Sequence, residues 1–234
     1  MKRRTARPAT VLVLRTCASD MTAHGGFKWP EKGHVECPDW DSAPKCGNGL
    51  HGLLWGTGDS SLMNWDTGAK WLVVEVDANL IVPIGTSAPD TIPPKVKFPR
   101  GVVIYAGDRK GATDLIRARA PANYVGSIHG VFVIGGHGAK VTGGDYATVT
   151  GGHRATVTGG DRATVTGGDG ATVTGGDCAT ITGGDCAALQ LSWWDGARWR
   201  IEIGYVGETL DANGKALESG VAYRLNDQHT WVRA

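Results

Sequence analysis

The sequence predicts an α+β N-terminal domain, then a parallel β-solenoid, then a small C-terminal β cap. Three observations carry this: an uninterrupted eight-residue repeat, an excess of glycine, and mixed strand and helix signals ahead of the repeat. Of 234 residues, 36 are Gly and 10 are Pro. Glycine well above ordinary usage beside ordinary proline fits a repeat better than a collagen or a disordered chain. Lys plus Arg number 24 against 23 Asp plus Glu, leaving a net charge of +1. Bulk charge therefore gives no strong nucleic-acid signal and no pull toward an anionic membrane. The domains are expected at residues 1–122, 123–190 and 191–234.

In the first domain, the start carries Lys2, Arg3, Arg4 and Arg7, but the apolar run at 11–14 is too short for a signal-peptide core or a membrane span. No secretion signal and no membrane segment are read. Five cysteines, an odd number, do not make the closed framework of a small secreted protein, so reduced thiols are expected. Strand-like runs fall at 10–14, 71–76, 80–84 and 102–105. Helices are expected at 60–69, capped by Ser60 or Ser61, and at 112–118, ended by Pro121. Residues 86–99, with Pro89, Pro93, Pro94 and Pro99, read as a loop.

The stretch 17–55 is the chemically loaded part of that domain. Cys17, Cys37, Cys46 and His51 could form a structural Cys3His zinc site, since thiolates and imidazole suit tetrahedral zinc, although no CxxC knuckle is present. Alternatively Cys46 and His51 could be nucleophile and base, with Asn48 beside them and Gly47 and Gly49 offering backbone N–H groups. The plainest account puts Cys46 and Leu50 in the core, makes Gly47-Asn48-Gly49 a tight turn, and leaves His51 bonded locally. That account needs no cofactor.

From Gly135 to Gln190 seven octads follow one another, five of them nearly identical: GGDYATVT, GGHRATVT, GGDRATVT, GGDGATVT and GGDCATIT. Within an octad, Ala147, Thr148, Val149 and Thr150 alternate in the period of a strand, and Gly151-Gly152 supply permissive backbone for a corner. One octad can bury almost nothing, so octads must stack, two to a coil of about 16 residues, with rungs about 4.8 Å apart. Ala147 and Val149 and their equivalents point inward and make a thin core. Thr148, Thr150, Thr164, Thr166, Thr180 and Thr182 rank on one face, and Thr156, Thr158, Thr172 and Thr174 on the other. At the corners, stacked Asp145, Asp161 and Asp177 must accept backbone N–H bonds or share a cation, and an Asx-type cap of each aspartate's own turn is preferred.

The open ends of such a stack need covers. Residues 124–134 read as an irregular first coil. Residues 189–205 read as a hairpin around Asp195-Gly196, whose Trp193, Trp194 and Trp199 are expected to close the core. Asn213-Gly214, 221–225 and 230–233 suggest a further small meander.

The motifs GFKWP at 26–30, CPDW at 37–40 and CGNGLHGLLWG at 46–56 resemble the N-terminal domain of an uncharacterised family found in bacteriophages, prophages and actinobacteria, whose members carry short Gly/Thr-rich repeats behind it. The resemblance implies a phage or prophage origin and a virion or host-cytoplasmic location, and brings no known activity to transfer. The octads alone resemble the TxT repeats of ice-nucleation proteins and the β-rolls of trimeric adhesin heads.

The leading expectation is a phage-type structural or interaction protein. Its Thr-faced solenoid would serve display, oligomerisation or docking, with a protein partner or a second copy as the ligand. An enzyme in the N-terminal domain, a nucleotide-using transferase or a thiol hydrolase, stands second. Ice binding by the TxT ranks stands third, because the array is far shorter than in ice nucleators.

Overall fold

The computed structural model describes residues 9–85, 92–121, 124 and 126–234. The basic start and residues 86–91 of the expected loop lie outside the described residues. The chain divides into two units, Met1–Gly126 and Ser127–Ala234.

The first unit is an antiparallel sheet built from β1 (Thr10–Cys17), β2 (Gly33–Glu36), β3 (Leu50–Leu54), β4 (Lys70–Asp77), β5 (Val82–Ile84), β6 (Lys95–Phe98) and β7 (Arg100–Gly107), in the order β2-β7-β4-β1-β3-β6-β5. β1 and β4 pair along their whole lengths, from Thr10 opposite Asp77 to Cys17 opposite Lys70. They read as apolar runs rather than strict alternation because both faces are covered: Val13, Leu14, Leu72, Val73 and Val74 are all fully buried. The helix α1 (Arg109–Arg119) packs Ala112, Thr113 and Ile116 against β4, β1 and β7. Its cap is Asp108, whose side chain accepts the Gly111 N–H, and it ends at Ala120, just before Pro121.

Three expectations for this unit are corrected. The helix expected at 60–69 is a single 3-10 turn, Ser60–Leu62, capped by Asp59 rather than by a serine. The tryptophan indole of Trp65 then donates to the Ser60 carbonyl and folds the segment back on itself. The expected loop at 86–99 contains β6, whose Val96 and Phe98 are fully buried. Cys46, read as core, is exposed, while Leu50 is buried as read and opens a strand, Leu50–Leu54, between β1 and β6. The strand's glycine hid it: a Cβ on Gly52 would lie 2.6 Å from the Leu14 carbonyl oxygen, so close pairing excludes the β-branched residues that announce a strand.

The second unit is the β-solenoid. β8 (Phe132–Ile134), β10 (Thr148–Thr150), β12 (Thr164–Thr166) and β14 (Thr180–Thr182) form one parallel sheet; β9 (Lys140–Thr142), β11 (Thr156–Thr158), β13 (Thr172–Gly175) and β15 (Ala188–Trp194) form the other. Pairing is in register at 16 residues, Val149 opposite Val165 and Val157 opposite Val173, giving about four turns. The inward column is dry, with Val149, Val157, Val165, Val173 and Ile181 fully buried and Ala147, Ala155, Ala163, Ala171 and Ala179 nearly so. Alanine and valine hold the two sheets close, so each rung makes a small contribution and the stack is stable only as a stack.

The corner works differently from the expectation. Positive φ recurs every eight residues, but at the fourth octad position: Tyr146, Arg154, Arg162, Gly170, Cys178 and Cys186 lie between 54° and 62°. The paired glycines are needed for space instead. A Cβ on Gly152 would meet the Gly136 backbone carbon at 2.8 Å, and one on Gly151 the Ala155 Cβ at 2.7 Å.

The covers are β16 (Trp199–Tyr205), antiparallel to β15, and β17 (Ala222–Leu225) with β18 (Trp231–Arg233), laid antiparallel on β14. The aromatic plug is made by Tyr223 and Trp231, both essentially inaccessible, with Leu189, Leu191 and Leu217. The expected plug residues sit outside: Trp194 and Trp199 are about half exposed, and Trp193 stacks on His229. Strand alternation decides this, since Leu189 and Leu191 take the inward positions of β15 and leave Trp194 on the outer face. Among the described residues no helix is long and apolar enough to cross a membrane.

Candidate functional sites: threonine faces and a cationic cleft

Ten of the solenoid threonines form two flat ladders. On one sheet Thr148, Thr164 and Thr180 stack in register, with Thr150, Thr166 and Thr182 beside them. On the other Thr156 pairs with Thr172 and Thr158 with Thr174, and Thr142 extends the second column by one rung. All ten are partly or fully exposed. Residues two apart on a strand stand about 7 Å apart and rungs about 4.8 Å, so each sheet presents a planar lattice of hydroxyl and methyl groups.

The edges of the solenoid hold this lattice rigid. Asp161 and Asp177 donate their backbone N–H groups to the Oδ1 of Asp145 and Asp161, at 3.0 and 2.9 Å, and Asp185 does the same to Asp169. Each carboxylate therefore serves the rung after it, not its own turn as the Asx expectation had it. His129 occupies the place one rung before Asp145, where its Nδ1 accepts the Asp145 N–H at 3.1 Å. Burial, with Asp145 and Asp177 on either side, pushes the Asp161 carboxyl above its ordinary range. Beside this ladder the Arg162 guanidinium lies 5.7 Å from the Tyr146 ring centroid and donates to its hydroxyl.

In the first unit, residues from β1, from the stretches 23–29 and 37–39, and from the turn at 47–51 enclose a cleft of about 450 Å³. Gly47, Asn48 and Gly49 all take positive φ, the tight turn read from the sequence, and carry the chain into β3 at His51. A Cβ on Gly49 would lie 3.0 Å from the Trp40 ring, so glycine is what lets Trp40 close over the turn. His51 is half-buried, and its pKa falls to about 4 because of burial and the positive charges of Lys95, Arg15 and Lys97.

The candidate residues of the sequence are placed as follows. Asn48 and His51 line the cleft, whereas Cys46 is exposed and is not among the residues lining it. Cys17 and Cys37 are buried in one core cluster, and burial raises both thiol pKa values. Among the described residues no group of three or more His, Cys, Asp or Glu side chains converges as a metal site. Sequence reasoning missed Arg15 and Lys97, and gave Trp29, which falls in the chemically loaded stretch, no role. The signals were there: Arg15 interrupts the apolar run of the central strand, and KVKF puts Lys95 and Lys97 two apart on one face.

The fold and these faces define a repeat-based β-solenoid protein that also carries an antiparallel β unit. Comparison with known proteins adds to each part. Residues 11–86 match a family model described as a domain of unknown function, DUF7666. The chain is 42% identical over 106 residues to the ice nucleation protein InaU of Pantoea ananas, a match covering 45% of the chain and 10% of that protein. It is 44% identical over 108 residues to an ice nucleation protein of Pseudomonas syringae, covering 46% and 9%. To one of Xanthomonas campestris pv. translucens it is 38% identical over 111 residues, covering 47% and 7%. The chain thus spans a tenth or less of the length of these curated relatives. No solved structure matches it.

Proposed function

We propose that this chain is a structural and interaction protein whose solenoid faces order water into an ice-like layer and bind ice. The observation that carries the proposal is the in-register double ladder of threonines on flat parallel sheets, three rungs by two on one face and two by two on the other. Similarity to proteins named for ice nucleation supports it and moves it ahead of the order the sequence suggested. Threonine suits the task because its methyl excludes disordered water while its hydroxyl bonds to ordered water, and β-branching restricts the rotamers of both. The test is thermal hysteresis and ice-affinity partitioning of the purified chain, with Thr164→Lys as comparison. Uptake into ice that the lysine lowers supports the proposal; no uptake by the wild type overturns it.

The partner in this proposal is a second copy of the chain, through β16. This edge strand exposes Trp199, Ile201, Ile203 and Tyr205 on one face, a seven-residue apolar edge that native proteins ordinarily cover. Val206 donates its N–H to the Ala187 carbonyl, so alternation turns the N–H and C=O groups of Trp199, Ile201 and Ile203 away from β15. An antiparallel pairing centred on Ile201 sets Arg200 opposite Glu202 twice and Trp199 opposite Ile203 twice. That two-fold match in charge and shape is what a homodimer needs. Light scattering that gives a dimer, turned monomeric by Ile201→Lys, supports it; a monomeric wild type overturns it. The virion setting implied by the family resemblance is tested by seeking the chain in purified phage particles.

A further inference from the structure

The cleft of the first unit gathers positive charge and leaves it unanswered. Arg15 projects from the central strand β1, donates from Nη1 to the His51 carbonyl at 2.7 Å, and lies 4.8 Å over the Trp29 ring, yet its Nε has no partner. The His51 Nε2 and the Trp29 Nε1 are buried without a partner as well. Behind them Lys97 stands opposite His51 in the β3–β6 pairing; it is fully buried, its Nζ has no hydrogen-bond partner, and it lies over the Trp40 ring, 5.5 Å from the centroid. Three unpartnered nitrogens, those of Arg15, Trp29 and His51, thus belong to residues lining one 450 Å³ space, with the fourth, Lys97 Nζ, behind His51. The one acidic residue lining it, Asp39, is exposed, and among the described residues no ion pair joins it to Arg15 or Lys97.

Burying the Lys97 ammonium completely and the Arg15 guanidinium in part, with no counter-charge beside them, is strongly unfavourable unless something else compensates. An antiparallel sheet has no structural need for such an arrangement: methionine would fill the Lys97 site, and a central strand is ordinarily apolar. Binding sites are where a fold keeps charge that its own packing does not answer.

We infer that the cleft binds a small organic anion, its phosphate or carboxylate head against Arg15 and its body along Phe27 and Trp29. Arg15 contacts the anion; Lys97, shut behind the wall, is a positioning residue that supplies field rather than contact. The size of the space suits a mononucleotide or a tricarboxylate better than a bare ion. The inference goes beyond the proposed role of the solenoid and stands or falls separately from it.

The experiment is calorimetric titration of the full chain with AMP, inorganic phosphate and citrate, with adenosine as the uncharged control. Saturable binding of AMP or citrate, with adenosine at least about tenfold weaker, is the expected result, one charge-assisted contact being worth that much. AMP tighter than citrate identifies phosphate as the head, and the reverse identifies carboxylate. Arg15→Gln is expected to weaken binding about tenfold to a hundredfold. Lys97→Met is expected to weaken it too, while raising the melting temperature of the unliganded chain, and it keeps the inference testable if the Arg15 variant does not fold. Absence of saturable binding by all three anions, adenosine binding as tightly as AMP, or full affinity in a folded Arg15→Gln or Lys97→Met chain would overturn it.

Discussion

Asp161 gives its backbone N–H to the Oδ1 of Asp145, sixteen residues earlier, at 3.0 Å, and its own Oδ1 takes the N–H of Asp177 at 2.9 Å. The carboxylate column is therefore a hydrogen-bond ladder running along the solenoid, in which each rung satisfies a donor of the next. Asp161→Ala orphans the Asp177 N–H and is expected to lower stability by about 1–2 kcal/mol. Asp161→Asn keeps an acceptor and removes one of three stacked like charges, so it should match or exceed the wild type. Urea unfolding of the two variants checks the difference.

Space, not conformational freedom, holds the paired glycines in place. Gly152→Ala drives a methyl into the Gly136 backbone and is expected to cost about 3 kcal/mol or to prevent folding. At Gly170, where φ is 62° and the space is open to 3.5 Å, Gly170→Asn should change stability by less than about 1 kcal/mol, since equivalent corners carry Tyr146, Arg162 and Cys178. Thermal melts of the pair decide it.

The plug of the solenoid is Trp231, not the tryptophans of the hairpin. Trp231→Ala should lose about 3–5 kcal/mol through the cavity it leaves, whereas Trp199→Ala should leave stability within about 0.5 kcal/mol. The same Trp199→Ala change should weaken self-association, measured by sedimentation.

If β16 pairs with itself about Ile201, the two Ile201 Cα atoms stand about 5.5 Å apart, within disulfide range. Ile201→Cys is expected to give a covalent dimer under mild oxidation, and Glu208→Cys, beyond the strand, is not. Non-reducing electrophoresis reads the outcome.

His51 links the first unit to pH. Its folded pKa, near 4, lies below the unfolded value near 6.5, so between them the unfolded chain binds more protons. The contribution of neutral His51 is complete above about pH 6.5 and is lost progressively as pH falls toward 4. Replacing it by glutamine should flatten that part of the stability profile. A bound anion should raise the His51 pKa, followed by its ring-proton shifts in NMR.

What was legible in the sequence was whatever repeats or alternates. The inward Ala147 and Val149, the sixteen-residue coil and the outward threonines follow from period two within an octad and from the inability of one octad to bury anything alone. The hairpin at Asp195-Gly196 was legible from its turn chemistry. In the first unit, α1 was legible as a helical segment stopped by Pro121 and the centres of β1, β4 and β7 from their apolar runs, while β2, β3 and β6 were not. They are short, interrupted by Gly52, Lys95 and Lys97, and hold strand geometry through partners distant in sequence.

The candidate sites divide in the same way. Local periodicity was enough to set the ten threonines on two faces, because a strand leaves a side chain only two directions. The cleft was decided by tertiary structure alone: Arg15, Trp29 and His51 come from three separate stretches, and the packing of β1 and β6 on either side of β3 sets Arg15 beside His51 and Lys97 behind it. Likewise Tyr223 and Trp231 became the plug once the strands after β16 turned back onto β14, a long-range pairing that no local pattern encodes.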